Sequence, residues 1–135
     1  MGAWGHGVFE NDAACDWLKE VARTADLRFI EATLAQVDRE GAGYIDADAA
    51  GEALAACELI SRLVGAGSEE AAVASTEAWL ASAPGMPDAD LRARAAAVVA
   101  RVAGPDSELG ELWEEVGEAD DWRAILRGLE ARLRG

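Results

Sequence analysis

The segment DADAAGEALAACELISRLV, residues 46–64, decides the fold because it has helical spacing and almost no side that suits water. Its larger apolar side chains leave few positions that face only solvent: Leu54, Cys57, Leu59, Ile60, Leu63 and Val64. Asp46 is a suitable N-cap, and Gly65 follows the segment as glycine follows many helices. These features predict a helix at the centre of the molecule.

Apolar residues at helical intervals predict further helices on both sides of this segment. The predicted helices begin at residues that can cap them: Asn11 or Asp12, Thr24 or Asp26, Asp46, Ser68, Asp88, Asp106 or Ser107, and Asp120 or Asp121. No segment has the pattern of a β-strand. We therefore expect an all-α fold, a compact single domain of six or seven helices over residues 1–135.

The first ten residues are rich in glycine and predict an irregular arm instead of a helix. Three large apolar side chains lie in this arm, those of Trp4, Val8 and Phe9. Water is an unfavourable environment for such side chains. We expect residues 1–10 to pack against the helical domain.

The charge of the chain is strongly negative, with a formal net value of −14 at pH 7 and Lys19 as the only lysine. This balance disfavours nucleic acids and anionic membranes, and it favours a basic protein as partner. Cys15 and Cys57 are too few for a disulfide framework. No basic segment precedes an apolar run near the beginning, and no apolar run reaches about 18 residues. We expect a cytoplasmic protein, and no motif predicts a cofactor.

The most acidic segment comprises residues 106–121, which contain eight acidic residues and no basic one. Four glutamates share a stripe at helical spacing: Glu108, Glu111, Glu115 and Glu118. The adjacent face is apolar and is predicted to point inward: Leu109, Leu112 and Val116. The stripe is a candidate binding site for an arginine-rich partner or a cation, and it is also what the solvated side of an ordinary amphipathic helix looks like.

Residues 38–49 superficially resemble a calcium-binding loop between two helices. The candidate ligands are Asp38, Glu40 and Asp46. The fifth position is Ala42, however, and the twelfth, which supplies a bidentate glutamate in such loops, is Ala49. We expect weak calcium binding at most, and the alternative is a glycine-bearing connection in which Asp46 caps the next helix.

Glu58 stands inside the most apolar helix, where a carboxylate needs a partner or a raised pKa. Arg62 lies one helical turn away and can supply an internal ion pair. An enzyme would instead require Glu58 to converge in a pocket with Asp12 and Asp16, or with His6, the sole histidine. These residues are the candidate catalytic groups.

Three segments of the chain resemble one bacterial family. The first contains Gly2, Trp4-Gly5, Gly7, Phe9, Asn11-Asp12 and Asp16-Trp17-Leu18; the second is ALAACE, residues 53–58; the third contains DSEL, residues 106–109, ELWEE, residues 111–115, and Trp122. In this combination the chain resembles the family known as domain of unknown function 4259. The resemblance implies one bacterial, cytoplasmic domain, and it brings no established activity, cofactor or catalytic residue.

The function that best fits these observations is an acidic protein-interaction module, such as an inhibitor or immunity-like partner of a basic protein. One alternative is a small enzyme or ligand-binding protein that uses Asp12, Asp16 and Glu58. The other alternative is a structural accessory domain without a discrete site.

Overall fold

Seven α-helices make up the regular structure of the residues that the computed structural model describes, residues 5–39 and 43–135. They are α1 (Asp12–Val21), α2 (Arg28–Arg39), α3 (Ala47–Leu63), α4 (Ala74–Ala81), α5 (Ala89–Ala103), α6 (Glu108–Glu115) and α7 (Ala119–Arg134). An isolated parallel β-bridge joins Ile45 and Ser107. The fold is compact and all-α, as the sequence predicts.

The centre of the structure is α3, which contacts each of the other six helices. Every residue from Ala53 to Ser61 is buried. Small side chains such as Ala55 and Ala56 allow neighbouring helices to approach closely, while Leu59 and Ile60 fill the space between them. The prediction of a central helix is confirmed, and it follows that any polar group on α3 must find its partners inside the protein.

Side-chain caps fix the beginnings of four helices, all at predicted residues. They are Asn11, which accepts from Ala14 N at 2.8 Å; Asp46, which accepts from Ala49 N at 2.8 Å; Asp88, which accepts from Leu91 N at 2.8 Å; and Ser107, which accepts from Gly110 N at 3.3 Å. After α3, Gly65 adopts the left-handed backbone that glycine tolerates best, with φ of +79°. Local sequence therefore sets most helix boundaries.

Three predicted helix starts are wrong. The last helix begins at Ala119, so Asp120 and Asp121 lie in its first turn instead of capping it. The fourth helix begins at Ala74 instead of Ser68, because residues 66–73 form an irregular connection whose polar groups bond to the core. The second helix begins at Arg28 instead of next to Thr24 or Asp26. The Asp26 carboxylate accepts a hydrogen bond from the Arg28 amide at 3.0 Å. At α2 and α4, a side-chain or tertiary hydrogen bond replaces the first helical turn.

The hydrophobic core is one cluster with side chains from all seven helices. Four tryptophans are buried in it: Trp17, Trp79, Trp113 and Trp122. Val8 and Phe9 of the arm belong to the same cluster, whereas Trp4 lies outside the described residues, so the packing of the whole arm stays a prediction. Among the described residues, no helix has the length and apolar character needed to cross a membrane.

Candidate functional site

Glu58 carries a carboxylate into the middle of α3, where its side chain is only 1 % exposed. One oxygen, Oε2, accepts from Arg62 Nε at 2.7 Å, from the Ser68 amide at 2.9 Å and from the Ser68 hydroxyl at 3.1 Å. The other, Oε1, accepts from Arg132 Nη2 of α7 at 3.3 Å. The predicted pair with Arg62 is present, and it is one part of a larger network.

Arg62 extends this network from α3 to the arm. Its guanidinium also donates to the backbone carbonyl of Glu70, and its carbon Cζ lies 5.0 Å from the centre of the Phe9 ring. A guanidinium over an aromatic face at this distance makes a favourable cation–π contact. One half-buried arginine therefore joins the central helix, the connection after it and the N-terminal arm.

The Glu70 carboxylate holds the arm through its backbone. Oε1 accepts from the Val8 amide at 3.1 Å, and Oε2 accepts from the Phe9 amide at 3.0 Å. Glu10 makes a similar bond within the arm, from the Gly7 amide at 3.2 Å. A Cβ atom on Gly7 would lie 2.5 Å from Glu10 Oε1 and 2.6 Å from Glu70 Oε2, so a side chain there would displace both carboxylates. Glycine at this position therefore leaves room for the two carboxylates that bond to the arm.

Burial shapes the acid–base properties of this region. It raises the pKa of Glu70, an effect that Glu10 reinforces and that the amides of Phe9 and Val8 oppose. Burial is also the main cause that raises the pKa of the Cys15 thiol, followed by the charge of Asp12. A thiol with a raised pKa is a poor nucleophile at neutral pH. Of these two groups, the Glu70 carboxylate is therefore a better candidate for a functional role than the Cys15 thiol.

A groove of about 780 Å³ opens beside these groups, between α1 and residues 70–75. Its walls are mostly apolar, and the largest apolar side chains in them are those of Phe9, Leu18 and Val73. Glu10 and Glu70 supply carboxylates, Lys19 an ammonium group and Cys15 a thiol. This size and this combination of apolar walls with a few polar groups are typical of small-molecule sites.

The predicted glutamate stripe is largely engaged with the protein itself. Glu108 accepts from the Ala47 amide at 2.7 Å, so it serves the first turn of α3. Glu111 accepts from the Tyr44 hydroxyl at 2.9 Å, a bond that raises the Tyr44 pKa to about 12. Glu118 lies 2.7 Å from the His6 ring nitrogen Nε2. Glu115 remains exposed and makes no such contact with a described residue.

Val116 was predicted to face inward, and this is wrong: it is 53 % exposed. The helix ends at Glu115, so Val116 lies in the turn that follows it, next to Gly117 with its left-handed φ of +76°. Leu109 is buried and Leu112 is half-buried on the expected side. The end of α6 therefore presents an apolar side chain among carboxylates.

The candidate ligands of the calcium-like loop that the structure describes have separate structural roles. Asp46 caps α3, and Asp38 lies 3.4 Å from Arg94 Nη2 in an exposed ion pair. Glu40 lies outside the described residues. Across residues 5–39 and 43–135, no three His, Cys, Asp or Glu side chains are grouped so that they could hold a metal ion.

The candidate catalytic residues occupy different environments. Asp12 and Asp16 lie on the exposed side of α1, where Asp16 is 3.9 Å from Lys19, whereas Glu58 is buried in α3. His6 contacts Glu118 and packs on Trp113, with ring centres 4.7 Å apart. None of these four residues lines the groove described above.

Three residues of the network have no clear signal in the sequence: Glu10, Glu70 and Arg132. Glu70 occurs in a segment with the spacing of a helix, where an acidic residue is expected to face water. Arg132 lies near the end of α7, where a basic residue already suits the helix dipole. The need of buried Glu58 for hydrogen-bond donors is a signal that could have prompted a search for Arg132, but not for the two glutamates.

These features define a small all-α protein built around one buried glutamate–arginine network. The sequence model of the family described as domain of unknown function (DUF4259) matches residues 2–124, and the chain belongs to this family. No curated protein and no solved structure matches the chain at a significant level. The family membership inferred from the sequence motifs is confirmed.

We predict that Glu58→Gln lowers the free energy of unfolding by about 3 kcal/mol, because two arginines then face a neutral group inside the protein. Urea denaturation at pH 7 measures the change. The matched control is Glu130→Gln, which breaks another Glu–Arg pair at i,i+4, with Arg134, on a more exposed surface. It should cost less than about 0.5 kcal/mol. Equal losses in the two variants would contradict the assigned role of burial.

Glu52 provides a test by pH. Burial is the largest cause that raises the pKa of its carboxyl group, and the charges of Asp48, Glu20 and Asp46 raise the pKa further. A folded-state pKa above the unfolded value means that this group contributes stability at low pH and loses it as the pH rises through the folded pKa. We predict that Glu52→Gln stabilises the protein at pH 7 by about 0.5–1 kcal/mol.

The gain from Glu52→Gln should nearly vanish at about pH 4, below the unfolded pKa, where the glutamate is neutral as well. Urea denaturation of both proteins at the two pH values provides the measurement. Glu20→Gln should give a smaller gain of the same sign, since it removes one of the three neighbouring charges. A gain that is identical at both pH values would refute the electrostatic explanation.

Proposed function

We propose that this protein is an interaction module whose acidic face binds a basic partner protein. The acidic face comprises the exposed carboxylates at the end of α6 and the start of α7: Glu111, Glu114, Glu115, Glu118, Asp120 and Asp121. The observation that carries the proposal is that residues 106–121 contain eight acidic residues and no basic one. The charge is thus concentrated on one part of the surface.

Few cationic side chains of the protein itself lie close enough to neutralise the carboxylates of this face. Arg123 Nη2 lies 3.0 Å from Glu114, and His6 contacts Glu118. Glu115, Asp120 and Asp121 make no ion pair with any residue in the described part of the chain. Uncompensated carboxylates on one surface attract a basic partner over long range and accelerate its association.

An apolar contact is available within the same face. Val116 is exposed between Glu115 and Gly117, and the Tyr44 ring, also exposed, is oriented by its bond to Glu111. Stable interfaces combine an apolar or aromatic centre with a polar rim. The carboxylates would provide attraction and orientation, and Val116 and Tyr44 would provide buried area.

The geometry gives less support to the enzyme alternative with Asp12, Asp16 and Glu58. The two aspartates are exposed on α1, and both oxygens of Glu58 are occupied by donors from the protein. We further propose that the protein is cytoplasmic and that it acts as an inhibitor or immunity-like partner of a basic protein. Both cysteines are free, which is usual in a reducing compartment.

A nona-arginine peptide is a suitable probe for the acidic face. We predict that Glu115→Gln/Asp120→Asn/Asp121→Asn weakens its binding about fivefold or more, since each exposed ion pair contributes up to about 1 kcal/mol. Isothermal titration calorimetry at low and physiological salt measures the affinity. The loss should be greater at low salt, where surface charges are less screened.

The matched control is Glu31→Gln/Glu69→Gln/Asp90→Asn, which removes the same charge from exposed positions elsewhere. Glu31 and Asp90 lie in the first turns of α2 and α5, as Asp120 and Asp121 do in α7. This variant should change the affinity less than about twofold, given the screening of distant charges. Equal weakening by the two variants would show that binding follows net charge alone, and it would overturn the proposed face.

A further inference from the structure

We propose that the groove between α1 and residues 70–75 is a binding site for a small amphipathic amine, with the cationic group at Glu10 and Glu70. This site is separate from the acidic face, because none of the residues that line the groove belongs to that face. The ligand class is a molecule with one ammonium group on an apolar body.

The apolar part of the proposal rests on the walls of the groove. Phe9 and Leu18 are buried side chains that form its inner part, and Val73 is exposed at its edge. The volume of about 780 Å³ is within the range of sites for small molecules. An aliphatic or aromatic body placed there would remove apolar surface from water, which is the main favourable contribution to such binding.

The choice of a cation rests on two carboxylates without a counter-ion. Glu10 Oε1 and Glu70 Oε2 both approach Gly7 and therefore lie close to each other. Neither residue makes a salt bridge within the described residues, although each accepts hydrogen bonds from backbone amides. A carboxylate oxygen has two acceptor sites, so acceptor capacity remains after these bonds. An ammonium group between the carboxylates would offset their mutual repulsion.

Lys19 is the one cationic side chain among the residues that line the groove. Its side chain is 75 % exposed, and its amine lies 3.9 Å from Asp16, which is not a lining residue. The position between Glu10 and Glu70 thus stays open to a cation from outside. An anionic ligand would instead place a third negative charge beside two carboxylates, which is unfavourable at short range.

The carboxylates are also held in place before any ligand arrives. Glu70 is fixed by two arm amides, and its backbone carbonyl accepts from Arg62, which is itself bonded to Glu58. A site that is ordered in the free protein loses little conformational entropy on binding. Burial raises the pKa of Glu70 in the free protein, and a bound ammonium group would lower it.

The test compares three probes with the same apolar body: hexylamine, hexan-1-ol and hexanoate. Each is titrated into the 15N-labelled full chain at pH 7 and followed by NMR. Hexylamine should give saturable shifts at Phe9, Leu18, Ala72 and Val73 with a dissociation constant of about 1 mM or tighter, a realistic affinity for so small a ligand. The alcohol should bind more weakly, and hexanoate should not saturate. No saturable shifts with hexylamine, or stronger binding of hexanoate, would overturn the proposal.

The variant Glu10→Gln keeps the shape of the side chain and an acceptor for the Gly7 amide while it removes one charge. It should weaken hexylamine about fivefold, as expected for the loss of one ion pair. Glu20→Gln removes an exposed charge from α1 outside the groove and should leave the affinity unchanged. Equal effects of the two variants would contradict the site. The triple variant of the acidic face should bind hexylamine as the wild type does, so the two proposals fail independently.

Discussion

The rest of the structure depends on one constraint, the presence of a carboxylate at Glu58 in the buried middle of α3. Removing such a charge from water costs several kcal/mol, which excellent geometry and additional hydrogen bonds can offset. Arg62, Arg132 and both donor groups of Ser68 meet this requirement. These donors come from α3, from α7 and from the connection after α3, so satisfying one carboxylate fixes three parts of the chain relative to one another.

The constraint reaches the surface through Arg62. This residue contacts Phe9 and the carbonyl of Glu70, and the Glu70 carboxylate in turn holds the backbone of the arm. The arm and the connection then form the walls of the groove. The buried network therefore has a consequence beyond stability: it shapes an apolar site that contains two carboxylates. The acidic face is shaped differently, by the early end of α6 and the turn at Gly117.

Periodicity and caps were sufficient to predict the all-α fold, the central position of α3 and most helix boundaries, because those features depend on local sequence. The pair between Glu58 and Arg62 was predictable for the same reason, since i,i+4 residues meet on any helix. Arg132 was not, because its contact joins residues 74 positions apart. The start of α4 was misplaced because Ser68 bonds to Glu58 instead of capping a helix, a choice that only tertiary structure reveals. The groove was likewise invisible, as its residues come from the arm, α1 and residues 70–75.

The buried network, more than apolar contact alone, is what we infer to hold the arm and the connection on the helical core. Native-state hydrogen exchange in wild type and Glu58→Gln tests it most directly, at the amides of Val8, Phe9 and Ser68. We expect that in the variant these three amides open with a lower free energy than the core amides of α5. If they instead keep the same protection as α5, falling only with the global stability, the network does not hold these segments.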